Sequence, residues 1–381
     1  MNRFLYMDNA ATTCINKKAL DDMKPYLTKM YFNPSGTYRA TYEIKDAIER
    51  ARGQVARVIG ALPEEIYFTS GGTESDNWAI DSALEYGDNN HIITSKIEHH
   101  AILNSCKKAE KKGARVTYVS VLRNGVVNKR EIEDSICDST KLISIMAANN
   151  EVGTIQPIAE IGRIAKKNNI VFHTDAVQGF LHMYINVNNM NIDMLSISAH
   201  KFGGPKGVGV MYIRKGLMVD SFMCGGMQES GMRAGTYNVA GIVGMGSAAG
   251  EYYKGMGRTN AYVRKMRDYM CDEIMVKIED CRINGDMNNR LPGNVNVCIR
   301  GVNGKNLVKA LGERGICVST GSVCNSVSVK PSHVLMAMGL SEEEALSSIR
   351  ITLSGDNKRE DVEYFVRNLR ELVTLFRNKN L

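Results

Sequence analysis

The sequence predicts an α/β protein with a large domain on a mainly parallel sheet and a smaller α+β domain towards the C-terminus. Three observations favour this class. Short β-like runs alternate with helical stretches over the first two thirds of the chain, as in parallel sheets covered by helices. The composition, 44% hydrophobic and 23% charged, is that of a globular protein. The length of 381 residues exceeds what one hydrophobic core usually organises.

Seven runs are predicted as the strands of the large sheet, with helices between them. The predicted strands are 65–69, 91–95, 115–119, 142–147, 170–174, 194–198 and 207–213. Helices are predicted at 42–59, 73–86 and 159–167, and beyond them at 258–278, 305–314, 341–348 and 359–378, with short strands around 293–299. The predicted domains are therefore 14–255 for the large one, and 1–13 with 256–381 for the small one.

The charge distribution, the lengths of the apolar runs and the cysteine spacing exclude several classes of protein. The net charge of +7 comes from Lys and Arg that are scattered among acids, so no direct nucleic-acid partner is expected. No apolar run is long enough for a membrane helix, and the N-terminus lacks the layout of a secretory signal. The nine cysteines form no C-x-x-C pair, so no metal is expected. We therefore predict free thiols and a cytoplasmic location.

Four motifs follow predicted strands, where ligands bind in open α/β sheets. In the first, Gly72 leads into a helix predicted from Thr73, and Asp76 is placed for a capping box. The free N–H groups of this helix start could bind a phosphate, or the motif is an ordinary turn with a helix cap. The second carries His99 and His100 at a helix that starts near Glu98. A histidine there stays neutral and can accept a proton or stack on a ring, unless it simply faces solvent.

The third and fourth motifs place an acid and a base at strand ends. Asp175, with Gln178 three residues on, could hold a protonated ring nitrogen or cap the next helix. His200 and Lys201 precede a Gly/Pro-rich turn; Lys201 could form a Schiff base, or extend to solvent. Together the four motifs supply the parts that pyridoxal 5'-phosphate needs.

Two features of the C-terminal part suggest further chemistry. Cys324 lies in a Gly/Ser-rich stretch and is predicted to be exposed, though its thiol would need a nearby base or cation to activate it. Arg350 could grip a substrate carboxylate with two parallel hydrogen bonds, or form a surface salt bridge.

These motifs resemble those of the cysteine desulfurases of the NifS/IscS type, within the fold-type I, class V aminotransferase-like pyridoxal phosphate enzymes. The resemblance covers nearly the whole chain. It is carried by YMDNAATT at 6–13, NPS at 33–35, ANNEVG at 148–153, GMRAGT at 231–236 and SSIRITL at 347–353.

The resemblance implies a role for each motif residue. Lys201 would bind the cofactor covalently, Asp175 would face its ring nitrogen, and His99 would stack on the ring and move protons. The other implied cofactor contacts are Gln178 at the ring hydroxyl, Asn150 at the cofactor and substrate, and Gly72, Thr73, Ser198 and His200 at the phosphate. Thr236 would reach the phosphate of a neighbouring subunit, which implies a homodimer.

The resemblance also implies the reaction. Arg350 and Asn150 would hold L-cysteine, and Cys324 would take its sulfur, leaving L-alanine and an enzyme persulfide. An acceptor protein, such as an iron–sulfur scaffold or a thiolation enzyme, would receive the sulfur. The alternatives are a related pyridoxal phosphate enzyme, such as a selenocysteine lyase or an aminotransferase, and a low-activity adaptor that depends on a partner.

Overall fold

The computed structural model describes residues 4–84, 90–321 and 330–379. Cys324 lies outside these residues. The strands in chain order are β1 (Leu5–Tyr6), β2 (Ile66–Thr69), β3 (His91–Ser95), β4 (Arg115–Val119), β5 (Thr140–Ser144), β6 (Val171–Asp175), β7 (Met194–Ser198), β8 (Gly209–Ile213), β9 (Cys281–Asn284), β10 (Asn294–Ile299), β11 (Ile316–Cys317) and β12 (Ser348–Thr352).

The helices cover the sheets and connect their strands. In chain order they are α1 (Lys17–Thr28), α2 (Ala40–Ile59), α3 (Gly72–Ser82), α4 (His100–Lys111), α5 (Lys129–Ser135), α6 (Ile158–Lys167), α7 (Val239–Lys277), α8 (Gly304–Glu313), α9 (His333–Ala337), α10 (Glu342–Leu346) and α11 (Arg359–Lys379). Within the described residues, no helix combines the length and the apolar character that a membrane span requires.

The large sheet has seven strands in the order β2-β8-β7-β6-β5-β3-β4. Only β8 runs against its neighbours, β2 and β7, and the remaining pairings are parallel. The prediction of a mainly parallel seven-stranded sheet is thus confirmed. Because β8 is reversed against both neighbours, the carboxyl ends of β2, β3, β5, β6 and β7 share one edge, which we call the site edge.

Two smaller sheets complete the structure. Strands β9, β10 and β12 form an antiparallel sheet, and β1 pairs in parallel with β11. Their core includes Met7, Val297 and Phe365, whereas the large sheet has its own core around Ile143 and Phe172. The domain boundaries at 14–255 and 256–381 stay a prediction.

The helix predicted at 258–278 is wrong at its start, because α7 begins at Val239. Its first half is rich in Gly, which argues against a helix on propensity alone. Tertiary packing overrides that preference: a Cβ on Gly246 would lie 2.5 Å from Cα of Ala51 in α2. The small residues therefore allow α2 and α7 to approach closely.

Two other predicted helices are too long at their C-terminal ends. Helix α3 ends at Ser82, short of the predicted residue 86. Helix α10 covers only Glu342–Leu346 of the predicted 341–348, because Ser341 caps it and Ser348 already pairs in β12. The local sequence pattern did not show where α10 ends and β12 begins.

Candidate active site

Lys201 lies at the site edge, in a single 3₁₀ turn that follows β7. Its Nζ donates to the carbonyl oxygens of Ala10 at 2.7 Å and Ala11 at 2.9 Å. Burial, and next the positive charge of Arg350, lower the pKa of Lys201 to about 8. A substantial fraction of the amine is therefore neutral, and nucleophilic, near neutral pH.

Asp175 is the last residue of β6 and lies beside β7, with its side chain buried. Its Oδ1 accepts a hydrogen bond from the Val177 amide at 2.8 Å, so the carboxylate closes a turn and does not cap a helix. Burial raises the pKa of Asp175, while the nearby His99 and Lys201 act in the opposite direction. The site thus places a desolvated carboxylate beside a lysine.

His99 is the N-cap of α4, where its Nδ1 accepts from the Ala101 amide at 3.2 Å. That bond requires an unprotonated Nδ1. The side chain is exposed, yet the surrounding protein desolvates its charged form and lowers the pKa of His99. We infer a neutral imidazole whose other nitrogen can exchange a proton.

The prediction that this helix starts near Glu98 holds to within two residues, since His99 caps α4 and Glu98 itself lies just outside the helix. Glu98 is instead buried under the site, where its carboxyl accepts from Ser95 Oγ at 2.6 Å and from the Met146 amide at 3.1 Å. Burial raises the pKa of Glu98 to about 8. Sequence reasoning placed Glu98 only near a helix start and gave this buried carboxyl no role.

The start of α3 forms a cradle that only glycine permits. A Cβ on Gly72 would lie 2.4 Å from Val177 Cγ2, whereas one on Gly71 would lie 3.7 Å from Ser198 Oγ. The free N–H groups of the first turn, with Thr73, therefore face residues that follow β6 and β7. Such a helix start attracts an anion.

The capping-box prediction for Asp76 is wrong. Glu74 provides that bond, since its Oε2 accepts from the Ser70 amide at 3.0 Å, and it also pairs with Arg233 at 2.7 Å. Asp76 is buried instead, and its Oδ1 has no hydrogen-bond partner among the described residues. Burial, and next the charge of Asp175, raise the pKa of Asp76.

The N-terminal segment 10–13 forms a wall of the site that sequence reasoning did not assign. Gln178 Nε2 donates to the carbonyl of Ala10 at 2.9 Å, and His200 Nδ1 lies 3.1 Å from Thr12 Oγ1. Burial lowers the pKa of His200 to about 4, so its ring is neutral. Gln178, His200 and Lys201 are thus gathered around one short segment.

Arg350 is buried on β12 and is not part of a surface salt bridge. Its Nη2 donates to Asp8 Oδ1 at 2.6 Å and its Nη1 to the backbone carbonyl of Asn150 at 3.3 Å. Its Nε has no partner among the described residues. Asp8, which sequence reasoning missed, therefore holds the guanidinium, and Asn150 contributes its backbone here.

Two predicted site residues have no contact with this cluster that the described structure shows, one of them because it is not among the described residues. Thr236 is exposed in the loop that follows Arg233, and no hydrogen bond within the described residues joins it to the groups around Lys201. Cys324 lies outside the described residues. Their roles therefore stay predictions.

The described residues fit pyridoxal phosphate. They offer a primary amine with a lowered pKa, a buried carboxylate, a neutral imidazole and a glycine-lined helix start on one sheet edge. The family model for aminotransferase class-V matches residues 5–365. The chain belongs to this family. The family depends on pyridoxal phosphate, which confirms the predicted cofactor.

Individual relatives show which kind of protein within this family the chain is similar to. Proteins named cysteine desulfurase IscS are 48% identical in Methanosarcina thermophila, over 99% of this chain and 94% of theirs, and 45% identical in Clostridium botulinum strain Hall, over 98% and 95%. A solved NifS-like protein has a TM-score of 0.92 and 37% identity, covering 98% of this chain and 100% of its own. SspA, solved in complex with cysteine, has a TM-score of 0.83 and 38% identity over 92% and 99%. The predicted resemblance to cysteine desulfurases is confirmed.

Proposed function

We propose that this protein is a cysteine desulfurase, which converts L-cysteine to L-alanine and leaves the sulfur as a persulfide on Cys324. The observation that carries the proposal is the grouping of Lys201, Asp175 and His99 at the site edge. The similarity to cysteine desulfurases, and to a solved relative in complex with cysteine, supports the choice of substrate.

The cofactor contacts follow from this grouping. Pyridoxal phosphate, when bound, supplies an electron sink for the bonds broken at the substrate amino acid. Lys201 would bind it covalently, Asp175 would face its ring nitrogen and His99 would stack on its ring. The remaining contacts would come from Gln178, Asn150, Gly72, Thr73, Ser198 and His200, and from Thr236 of a second copy in a homodimer.

Two side chains can move protons during turnover. Lys201, with a pKa of about 8, exchanges a proton readily near neutral pH. His99 is neutral, and the bond at Nδ1 leaves its other nitrogen to accept a proton. Both lie beside Asp175, whose carboxylate favours positive charge nearby.

Arg350 would hold the carboxylate of the substrate. Its guanidinium is buried, Nε lacks a partner in the described part of the chain, and the bond to Asn150 at 3.3 Å is long. A carboxylate could accept two parallel hydrogen bonds from this guanidinium. Asp8 would keep the guanidinium in place while the substrate binds and leaves.

The persulfide on Cys324 would then pass to an acceptor protein. We propose a thiol-bearing acceptor, either an iron–sulfur scaffold or a thiolation enzyme, as the partner. A cytoplasmic location is proposed with it, since the eight cysteines in the described residues are all free thiols.

The purified holoenzyme tests this proposal directly. L-Cysteine and a reducing thiol are added, and alanine and sulfide are quantified in the same samples. Equal amounts of alanine and sulfide are expected, since each turnover releases one of each. A 2-oxo acid with no sulfide would indicate an aminotransferase, and no product at all would contradict the proposal.

A further inference from the structure

Glu151 occupies a position that the reaction as described does not use. Its side chain is 3% exposed, and its Oε2 accepts a hydrogen bond from Ser332 Oγ at 2.5 Å. The same oxygen would lie 2.9 Å from a Cβ on Gly321, so the backbone of Gly321 packs directly against it. One carboxylate oxygen therefore contacts a residue on each side of 322–329, which include Cys324.

The Gly321 side of this contact is connected to the proposed substrate site. The Gly321 amide donates to Ser319 Oγ at 3.1 Å. Ser319 in turn exchanges backbone hydrogen bonds of 2.6 and 3.1 Å with Arg350. A shift of Gly321 is thus resisted through the residue that would hold the substrate carboxylate.

The Ser332 side packs against residues that follow β3 and β5 of the large sheet. Ser332 Oγ accepts from the Leu335 amide at 3.2 Å and so caps α9 while its hydroxyl proton points to Glu151. Leu335 lies in a buried apolar cluster with Ile97 and Met146. Each side is therefore anchored in its own surroundings, and Glu151 joins the two.

Glu151 is itself held from its backbone. Its amide donates to Asn149 Oδ1 at 2.8 Å, and its carbonyl accepts from Asn296 Nδ2 at 3.2 Å. Such fixed groups place the carboxyl within a fraction of an ångström, which a positioning role requires.

We propose that Glu151 is a positioning residue that ties Gly321 to Ser332 and so sets how well Cys324 reaches the substrate. The inference rests on the proposed function. Fixing the residues on both sides of a reactive group raises the effective concentration of that group at its target. Loss of the tie lowers the rate of sulfur transfer, while cofactor and substrate binding stay unchanged.

Ser332→Ala and Glu151→Gln in the holoenzyme test the proposal. For Ser332→Ala, kcat for alanine is expected to fall on the order of tenfold, since one buried hydrogen bond is lost, with KM unchanged. The visible absorbance of the cofactor, and its change on titration with L-cysteine, should match those of wild type. Glu151→Gln, whose amide oxygen can still accept from Ser332, should lose less of kcat with KM again unchanged, and Ser332→Thr, which keeps the hydroxyl, should restore kcat.

Ser341→Ala is the matched control. Ser341 caps α10 through the Glu344 amide at 3.2 Å and makes no hydrogen bond to Glu151 in the described structure. It should keep the wild-type kcat. An equal loss of kcat in Ser341→Ala would show that the loss of a helix cap explains the effect, and this result would overturn the proposal. Wild-type kcat in both Ser332→Ala and Glu151→Gln would overturn it as well.

A second readout does not depend on catalysis. The rate of iodoacetamide alkylation of Cys324, followed by mass spectrometry without L-cysteine, should be higher in Ser332→Ala than in wild type and Ser341→Ala. An unchanged rate would overturn the positioning role. If wild type formed no alanine, the proposed function would fail, and the alkylation rates would still decide the role of Glu151.

Discussion

Lys201 is the residue whose environment bears most directly on the chemistry. Two backbone carbonyls accept from its amine, which favours the charged form, while burial and the Arg350 guanidinium disfavour it. Desolvation dominates, and the pKa falls from 10.5 to about 8. A small change in the surrounding charge should therefore move the pH at which the lysine reacts.

Arg350→Gln should move that pH upward. The variant removes a positive charge and leaves Asp8, whose negative charge favours the protonated amine, without its partner. The neutral amine predominates only above its pKa, so the rate at which apoprotein binds pyridoxal phosphate covalently should rise through about pH 8 in wild type and at higher pH in Arg350→Gln. Visible absorbance against time, measured across pH, provides the rates.

Arg314→Gln is the control for that experiment. Arg314 pairs with Glu371 at 2.7 Å on the surface and does not contribute to the pKa of Lys201. Its profile should match wild type. A profile for Arg350→Gln that stayed at about pH 8, or moved down, would show that Arg350 does not set the pKa of Lys201.

Single residues could be predicted where the strand pattern placed them. Lys201 and Asp175 followed from strand ends, because side chains there face one sheet edge. Asp8 and Glu151 could not be predicted in this way, since their partners Arg350 and Ser332 are 342 and 181 residues away in the chain. Asp76 was misassigned because its spacing fits a cap equally well, and only tertiary packing shows that it is buried.

At the scale of the element, the start of α3 depends on the absence of a side chain. Gly72→Ala would place a methyl group 2.4 Å from Val177 Cγ2 and push the first turn away from β6. We expect the Kd of pyridoxal phosphate to rise at least on the order of tenfold, because the N–H groups then miss the phosphate. Cofactor titration of the apoprotein measures this change.

Gly53→Ala separates this effect from glycine replacement in general. Gly53 lies within α2, and a Cβ there would meet nothing within 4 Å. The variant should stabilise the fold by about 0.5–1 kcal/mol, as Ala does over Gly in a helix, with unchanged cofactor affinity. Wild-type cofactor affinity in Gly72→Ala would contradict a phosphate cradle at α3.

Elements were predicted well where local pattern and tertiary packing agree. The bounds of β3 and β7 match the predicted ones, since each is a fully buried run in the interior of the sheet, and the bounds of the edge strand β4 match as well. The predicted helix was shorter than α7 because Gly lowers the intrinsic helix propensity of its first half, although contact with α2 stabilises it. Propensity alone cannot supply that contact.

At the scale of the whole molecule, the predicted homodimer has a specific consequence. If Thr236 serves the partner's site, mixing Lys201→Ala with Thr236→Ala subunits creates one site with both residues intact. Mixed dimers should then recover about half of the wild-type activity at low cofactor concentration, above either parent protein. Co-expression with two affinity tags isolates these dimers, and alanine formation measures their activity.

The mixed dimers should have a lower activity if there is no composite site. If Thr236 acted within its own subunit, every site of the mixed dimer would carry one defect. Activity would then stay at or below the mean of the two parent proteins, and the composite site would be rejected.

The transfer of sulfur to Cys324 is the central claim, and one measurement tests it most directly. Wild type, Cys324→Ser and Cys317→Ser are each mixed with one equivalent of L-cysteine per subunit in the absence of reductant. Alanine is quantified while mass spectrometry locates any persulfide. Cys317 is the control, because it is a free thiol on β11, seven residues away. The account predicts one alanine and one Cys324 persulfide per subunit in wild type and Cys317→Ser, and neither in Cys324→Ser. Undiminished alanine from Cys324→Ser would contradict it.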